Sequence, residues 1–150
     1  MTQISVWGPL TWYFFHTLAE KIKDEHYDKM KGKILDIIKS FCNSLPCEEC
    51  AAHATSLMNK VSLDTISTKP KLQDFLFNFH NNVSMRTKKP PVDRSILDIY
   101  KNANLKIIAS KLYASFHTKD KKYMMNEFNR CRMLSNKQPI IIEIIQHCDP

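Results

Sequence analysis

Residues 30–50 carry the sequence MKGKILDIIKSFCNSLPCEEC, in which a helical pattern runs directly into a pair of cysteines. The apolar side chains of this stretch recur three and four positions apart, which is the spacing of one face of an α-helix. They are Met30, Ile34, Ile37, Ile38, Phe41 and Leu45. Pro46 then ends the helix, and Cys47 and Cys50 follow at once. A thioredoxin-type Cys-x-x-Cys lies in a βαβ setting instead, so this helix argues against that fold.

The same periodicity continues on both sides of this stretch. A first helix is predicted from Leu10, because apolar residues recur every fourth position as far as Ile22. A third, short helix should begin at about Cys47, and residues 61–70 read as a loop rich in Ser, Thr and Asp. A fourth helix starts near Pro70, and a fifth, with Asp93 as a candidate cap, carries apolar residues as far as position 108.

These elements predict an all-α fold, a four-helix bundle with a short fifth helix and a C-terminal extension. The short loops favour antiparallel neighbours, and the bundle is expected to occupy residues 1–112. The pattern weakens in the extension, residues 113–150. Residues 124–133 form a candidate helix, whereas residues 140–145 are equally compatible with a strand and with a helix.

The composition excludes several classes of protein. A chain of 150 residues suits one domain, and 43% apolar with 25% charged residues is a globular rather than a disordered balance. Only two glycines are present, Gly8 and Gly32, so neither a Rossmann nor a P-loop phosphate motif can be written. The same scarcity disfavours an all-β fold rich in tight turns.

The net charge of +7 raises three possibilities, namely nucleic acid, an anionic membrane or a phosphate-bearing cofactor. The chain has no RNP-type aromatic motif, zinc-finger spacing or basic zipper, so we expect no nucleic-acid partner. It also has no run of about 18 apolar residues and no signal peptide at its start, so no membrane span is expected. A protein that stays where it is made works in a compartment that keeps thiols reduced. There, five cysteines indicate redox chemistry or metal binding rather than a structural disulfide framework.

Cys47 and Cys50 are the best candidates for that chemistry. At a helix start, free N–H groups and the positive end of the helix dipole favour a thiolate over a thiol. Two thiols at this spacing can also close a disulfide that is readily reduced again. The alternative is a non-enzymatic zinc-binding or redox-sensing module in which His53 joins the two cysteines. No second Cys-x-x-Cys exists to complete such a site, so we expect no metal.

Two further groups of polar residues lie on predicted helices. Trp12 and His16 are four positions apart on the first helix and therefore share a face. Each alone is more typical of a packed core. On the fourth helix, His80 and Ser84 share a face next to Asn81, among strongly apolar neighbours. Because a solvated helix edge would not have such neighbours, this cluster is expected to border a buried site.

In this order, the three motifs resemble the Erv/ALR family of FAD-dependent sulfhydryl oxidases, most closely its members from large cytoplasmic DNA viruses. They are Trp7-Gly8-Pro9 with Trp12 and His16, Cys47-Glu48-Glu49-Cys50 with His53, and His80-Asn81-Asn82-Val83-Ser84 with Lys89-Pro90. The resemblance implies a helical bundle, usually a homodimer, that holds FAD and forms disulfides in protein dithiols. Electrons would pass to molecular oxygen and give hydrogen peroxide. A viral protein of this kind would work in the host cytoplasm or the virion; the alternative is the mitochondrial intermembrane space.

The resemblance also assigns roles to individual residues. It implies that Cys50 is the thiol next to the flavin and that Cys47 exchanges with incoming thiols. The implied FAD-binding residues are Trp7, Gly8, Trp12, His16, His53, His80, Asn81, Ser84, Arg86, Lys88 and Lys89. Ser84 stands where the family usually has a second asparagine and reaches less far.

The remaining cysteines are assigned less specifically. Cys131 and Cys148 could be a shuttle pair, a structural bridge or free thiols, and Cys42 is expected to be a small core residue.

Overall fold

The computed structural model describes residues 4–116 and 124–150, and within these ranges the side chains of 124–131 and 133 are not described. The described chain is all-α and contains no strand, as predicted. Its elements are α1 (Ile4–Lys21), α2 (Asp24–Asn43), α3 (Glu48–Met58), α4 (Lys69–Arg86), a 3₁₀ helix (Arg94–Asn102), α5 (Leu105–Ser115) and α6 (Met124–Gln146). No described helix is both long enough and apolar enough to cross a membrane.

Helix α1 is the centre of the molecule. It packs against α4, α5 and the 3₁₀ helix, while α2 packs against α3 and α6. Phe14 and Phe15 of α1 meet Phe41 of α2 at ring-centroid distances of 5.2 and 6.4 Å, and all three side chains are fully buried. The residues around these rings belong to one hydrophobic core that extends from α1 to α6.

Side-chain caps set where several of the helices begin. The Thr68 hydroxyl accepts a hydrogen bond from the N–H of Lys71, and Pro70 lies in the first turn of α4. Asn104 caps α5 in the same way, accepting from the N–H of Ile107 at 3.1 Å. The prediction of a single fifth helix, with Asp93 as a candidate cap and apolar residues as far as position 108, was wrong for this reason. The chain forms the 3₁₀ helix first and then starts a new helix, α5, at the Asn104 cap.

The C-terminal extension forms one long helix. Residues 140–145, for which the sequence allowed a strand or a helix, are helical, because α6 continues through Pro139 to its end at Gln146. Leu134, Ile141 and Ile144 are buried in the common core. Two ion pairs join α6 to α2: Lys33–Glu143 at 2.5 Å and Lys137–Asp36 at 2.9 Å.

Beyond α6, the last residues return to the turn between α1 and α2. Ile22 and Cys148 form an isolated antiparallel bridge, and the N–H of Asp149 donates to the carbonyl oxygen of Lys21 at 2.7 Å. The ammonium group of Lys21, itself buried, donates to the backbone oxygen of Pro150 at 2.7 Å.

The positions of Cys131 and Cys148 correct the idea that they form a pair within one chain. The backbone of Cys131 lies in α6, and Cys148 lies just beyond the end of that helix. At about 1.5 Å of rise per residue, the two are separated by roughly 20 Å or more, far beyond the reach of a disulfide. Cys148 is a buried free thiol whose Sγ donates to the carbonyl oxygen of Ile144, and burial raises its pKa to about 11. The side chain of Cys131 is outside the described residues.

Candidate active site

The side chains of the sequence motifs surround one cavity of about 330 Å³. Its walls come from α1, α3, α4 and the 3₁₀ helix, with Cys42 near the end of α2 and Leu45 just beyond that helix. The predicted site residues that line it are Trp7, Gly8, Trp12, Cys50, His53, His80, Ser84, Arg86 and Lys89. Three motifs that are up to about 80 positions apart in the sequence therefore meet at one site.

Four predicted site residues do not line the cavity. Cys47 is bonded to Cys50, and His16 lies behind the wall against His80. Asn81 instead accepts a hydrogen bond from the N–H of Val92 at 2.9 Å, which fixes the chain after α4. Lys88 is exposed and has a left-handed backbone with φ of 59°.

Cys47 and Cys50 are joined as a disulfide at the start of α3, with a Cα–Cα distance of 5.1 Å. Cys47 is the N-cap residue, and its Sγ accepts the N–H of Cys50 at 3.2 Å. A sulfur in this place is stabilised as a thiolate by the free N–H groups of the first helical turn. Only Cys50 of the two lines the cavity. The geometry thus gives one sulfur an electrostatically favourable helix cap and the other a place at the cavity wall.

Aromatic rings form one wall of the cavity. The imidazole of His80 stacks on Trp12 with ring centroids 4.2 Å apart and an angle of 8° between the ring planes. Phe79 meets the same indole edge-on at 5.0 Å. Such a wall offers flat faces and ring edges to a planar aromatic ligand.

Behind this wall, His16 and His80 are hydrogen-bonded to each other. The Nε2 atom of His16 lies 3.0 Å from the Nδ1 atom of His80. Burial, and then the neighbouring His80, lower the pKa of His16 to about 3; burial, and then the charge of Lys89, lower the pKa of His80 to about 4. Both imidazoles are therefore neutral at pH 7, so one ring donates its N–H and the other accepts.

The end of α4 makes one side of the cavity basic. Arg86 and Lys89 both line it, and the Arg86 guanidinium also contacts the Glu49 carboxylate at 3.1 Å. Burial, and then the charge of Arg86, lower the pKa of His53 from its ordinary value. Fixed cations next to aromatic rings suit a ligand that combines a planar ring with phosphate groups.

Several cavity residues were not among the predicted site residues. Tyr100, Ile96 and Ile99 reach the cavity from the 3₁₀ helix, where their periodicity indicated only a core-facing helix. Cys42 is fully buried, which confirms it as a core residue, yet it also lines the cavity. No sequence signal distinguishes a core side chain from one that faces an internal cavity, because both are apolar and periodic.

The residues present fit a large organic cofactor and not a metal ion. A volume of about 330 Å³ lies within the range of ligand sites. The ring of Trp7 lines the cavity, and its indole Nε1 is buried without a hydrogen-bond partner in the described chain. The described residues contain no group of three His, Cys, Asp or Glu side chains able to hold a metal. The zinc alternative on Cys47, Cys50 and His53 is therefore not supported.

Comparison with known proteins gives consistent matches. The model of the Erv1 / Alr family matches residues 9–104. The protein named FAD-linked sulfhydryl oxidase of African swine fever virus (isolate Pig/Kenya/KEN-50/1950) is 36% identical over 103 residues, covering 68% of this chain and 86% of the relative. FAD-linked sulfhydryl oxidase ERV2 of Saccharomyces cerevisiae is 30% identical over 94 residues, covering 62% of this chain and 47% of the relative. No solved structure matches the chain significantly.

Proposed function

This chain belongs to the Erv1/Alr family, and from that premise we propose that it is a FAD-linked sulfhydryl oxidase whose reactive disulfide is Cys47–Cys50. One observation carries the assignment of residues: the disulfide has one sulfur on the cavity wall and the other at a helix cap outside it. Cys47 is therefore the residue that meets substrate thiols, and Cys50 is the residue that faces the cofactor.

The thiol chemistry proceeds by two exchange steps. A substrate thiolate attacks Sγ of Cys47, a new S–S bond forms, and the Cys47–Cys50 bond breaks with Cys50 leaving as a thiolate. The second substrate thiol, as its thiolate, then attacks the substrate sulfur of the mixed disulfide and releases Cys47. The N–H of Cys50, which contacts Sγ of Cys47, stabilises the leaving Cys47 thiolate. The substrate has lost two electrons, which the Cys47–Cys50 pair now holds.

FAD, when bound, would supply the two-electron acceptor for the Cys47–Cys50 dithiol and the route for these electrons to molecular oxygen, which gives hydrogen peroxide. The chain's own residues bind and orient it. Trp12 and His80 provide stacked rings, Arg86 and Lys89 provide positive charge for the diphosphate, and the indole of Trp7 provides a further ring at the wall. The Ser84 hydroxyl, also at the wall, can donate or accept one further hydrogen bond.

Protein dithiols are the proposed substrates, and a homodimer in the host cytoplasm or the virion is the proposed working form. The viral source of several relatives supports the compartment. Exposed apolar side chains on α5 and α6, two helices that pack against each other, support self-association. Ile107 on α5 and Ile142 on α6 are 52% and 56% exposed.

The experiment compares Cys47→Ser and Cys50→Ser with Cys42→Ala, which changes a third cysteine at the same cavity. Both serine variants should retain FAD but lose oxygen consumption with dithiothreitol, whereas Cys42→Ala should keep it. The two serine variants should also differ in their absorption spectra. Cys47→Ser leaves Cys50 as a free thiolate beside the flavin and should show a long-wavelength charge-transfer band.

Two results would contradict this proposal. A purified wild-type protein that is colourless and binds no added FAD would remove the cofactor. A charge-transfer band in Cys50→Ser, and none in Cys47→Ser, would reverse the roles of the two cysteines.

A further inference from the structure

Phe116 lies outside residues 9–104, the part of the chain that matches the family model. It is the last residue described before position 124. It follows directly on α5, and its side chain is 1% exposed. Its ring meets the indole of Trp7 edge-on, with centroids 6.2 Å apart and planes at 85°. A second edge contact, at 5.7 Å, joins it to Phe41 of α2. Phe116 thus links the cavity residue Trp7 to the central core.

The side chain of Trp7 is 4% exposed and belongs to the common hydrophobic core. The Thr11 hydroxyl donates to the backbone oxygen of Trp7 at 2.7 Å, which fixes the main chain but not the side chain. The indole Nε1 is buried and has no hydrogen-bond partner in the described chain. The orientation of the indole at the cavity wall therefore depends on packing, and the one aromatic contact described for it is that of Phe116.

Phe116 is in turn held by the C-terminal helices. Helix α5 packs closely along α1, and the hydroxyl of Tyr113, one turn before Phe116, donates to the carbonyl oxygen of Leu134 in α6 at 2.8 Å. The ring of Tyr113 also packs edge-on against Phe41 at 5.7 Å. Residues beyond the family match therefore support the side of the cavity where Trp7 lies.

We propose that Phe116 is a positioning residue for the cofactor, which holds the Trp7 indole in its place at the cavity wall where FAD binds. This inference rests on the proposed function, since it assumes that FAD occupies the cavity. It assigns a role in cofactor binding to the C-terminal part of the chain, which the family model does not cover. A role in core packing alone would lower the stability of the protein but would not act specifically through Trp7.

The test measures the dissociation constant of FAD, by titrating apo-protein, together with the thermal midpoint of unfolding. Phe116→Leu removes the ring edge while keeping most of the volume, and it should weaken FAD binding by about fivefold. Ile144→Ala is the matched control, because Ile144 is a fully buried core residue on α6 that does not line the cavity. It should lower the thermal midpoint at least as much and leave FAD affinity unchanged.

A double-mutant cycle shows whether Phe116 acts through Trp7. Trp7→Phe replaces the indole that Phe116 contacts, so adding Phe116→Leu to it should weaken FAD binding little further. A second readout needs no cofactor: in a Trp12→Phe background Trp7 is the remaining tryptophan, and Phe116→Leu should shift its fluorescence emission.

The inference is overturned if Phe116→Leu and Ile144→Ala weaken FAD binding equally. It is also overturned if the effect of Phe116→Leu is as large with Trp7→Phe as without it. If the wild-type protein itself binds no FAD, the proposed function fails and this inference fails with it.

Discussion

At the residue scale, the buried His16–His80 pair connects the cavity wall to the stability of the fold. Burial lowers the pKa of His16 to about 3 and that of His80 to about 4, compared with 6.5 for an exposed imidazole. Below pH 6.5 the unfolded chain therefore takes up protons at these two positions that the folded chain does not. The free energy of unfolding should fall as the pH falls towards 4, because the unfolded state binds more protons.

Substituting one member of the pair tests this directly. His16→Gln removes one titrating ring but keeps a nitrogen that can contact Nδ1 of His80. We expect the free energy of unfolding, measured with urea, to fall less steeply between pH 6.5 and pH 4 than in the wild type. Identical slopes in the two proteins would show that His16 already titrates normally when folded.

The sequence was informative at those positions where a residue type is unusual in its setting. Cys47, Cys50 and His80 stand out in this way, and the structure places all three at or beside one cavity. Tyr100 could not be predicted as a cavity residue, because nothing in its sequence setting distinguishes it from a core aromatic. Asn81 has the right type and position, but its amide is used to fix Val92.

At the element scale, the end of α4 places the side chains of Lys88 and Lys89 in different surroundings. Lys88 takes a left-handed backbone, and the N–H of Lys89 then donates to the carbonyl oxygen of Ser84 at 2.8 Å, so the chain reverses within two residues. As a result Lys89 lines the cavity and Lys88 does not. A substitution of Lys89 therefore tests the basic side of the cavity, and the same substitution of Lys88 is its control.

Lys89→Glu should weaken FAD binding by about tenfold, since it replaces a favourable charge beside the diphosphate with a repulsive one. Lys88→Glu makes the same change in net charge one residue away and should leave the affinity near the wild-type value. Flavin content after dialysis and titration of apo-protein measure both. Equal losses in the two variants would mean that only the overall charge matters.

The helices themselves could largely be predicted, because α1 to α4 have long apolar stripes and clear stop signals. The fifth predicted helix was the exception, because its apolar residues keep a helical spacing across two separate elements, the 3₁₀ helix and α5. Asn104 decided the boundary through its side-chain cap, and a cap of this kind is one polar residue among many in the sequence. Residues 140–145 were ambiguous because a short apolar run suits both a strand and a helix.

At the scale of the whole molecule, the core is continuous from α1 to α6. The functional division between residues 1–112 and 113–150 remains a prediction. The packing of α6 on α2 nevertheless leads us to expect that the described parts unfold together.

Ile144→Ala tests that expectation. It removes a fully buried side chain of α6 and should lower the free energy of unfolding by about 3 kcal/mol. Tryptophan fluorescence reports on α1, which carries both tryptophans, and far-UV circular dichroism reports on all the helices. The two probes should shift together and give one midpoint. A circular dichroism transition that precedes the fluorescence transition would show that α6 unfolds separately.

The hydrogen bond between the Lys21 ammonium group and the backbone oxygen of Pro150 forms a joint that has a consequence for the order of events during folding. Its two residues are 129 positions apart, so it closes almost the entire chain into a loop. Helical bundles form quickly because their contacts are local, whereas a contact between such distant residues carries a large entropic cost until the intervening chain is ordered. We therefore expect the helices to assemble first and this joint to close late. During synthesis it cannot close before residue 150 has been made.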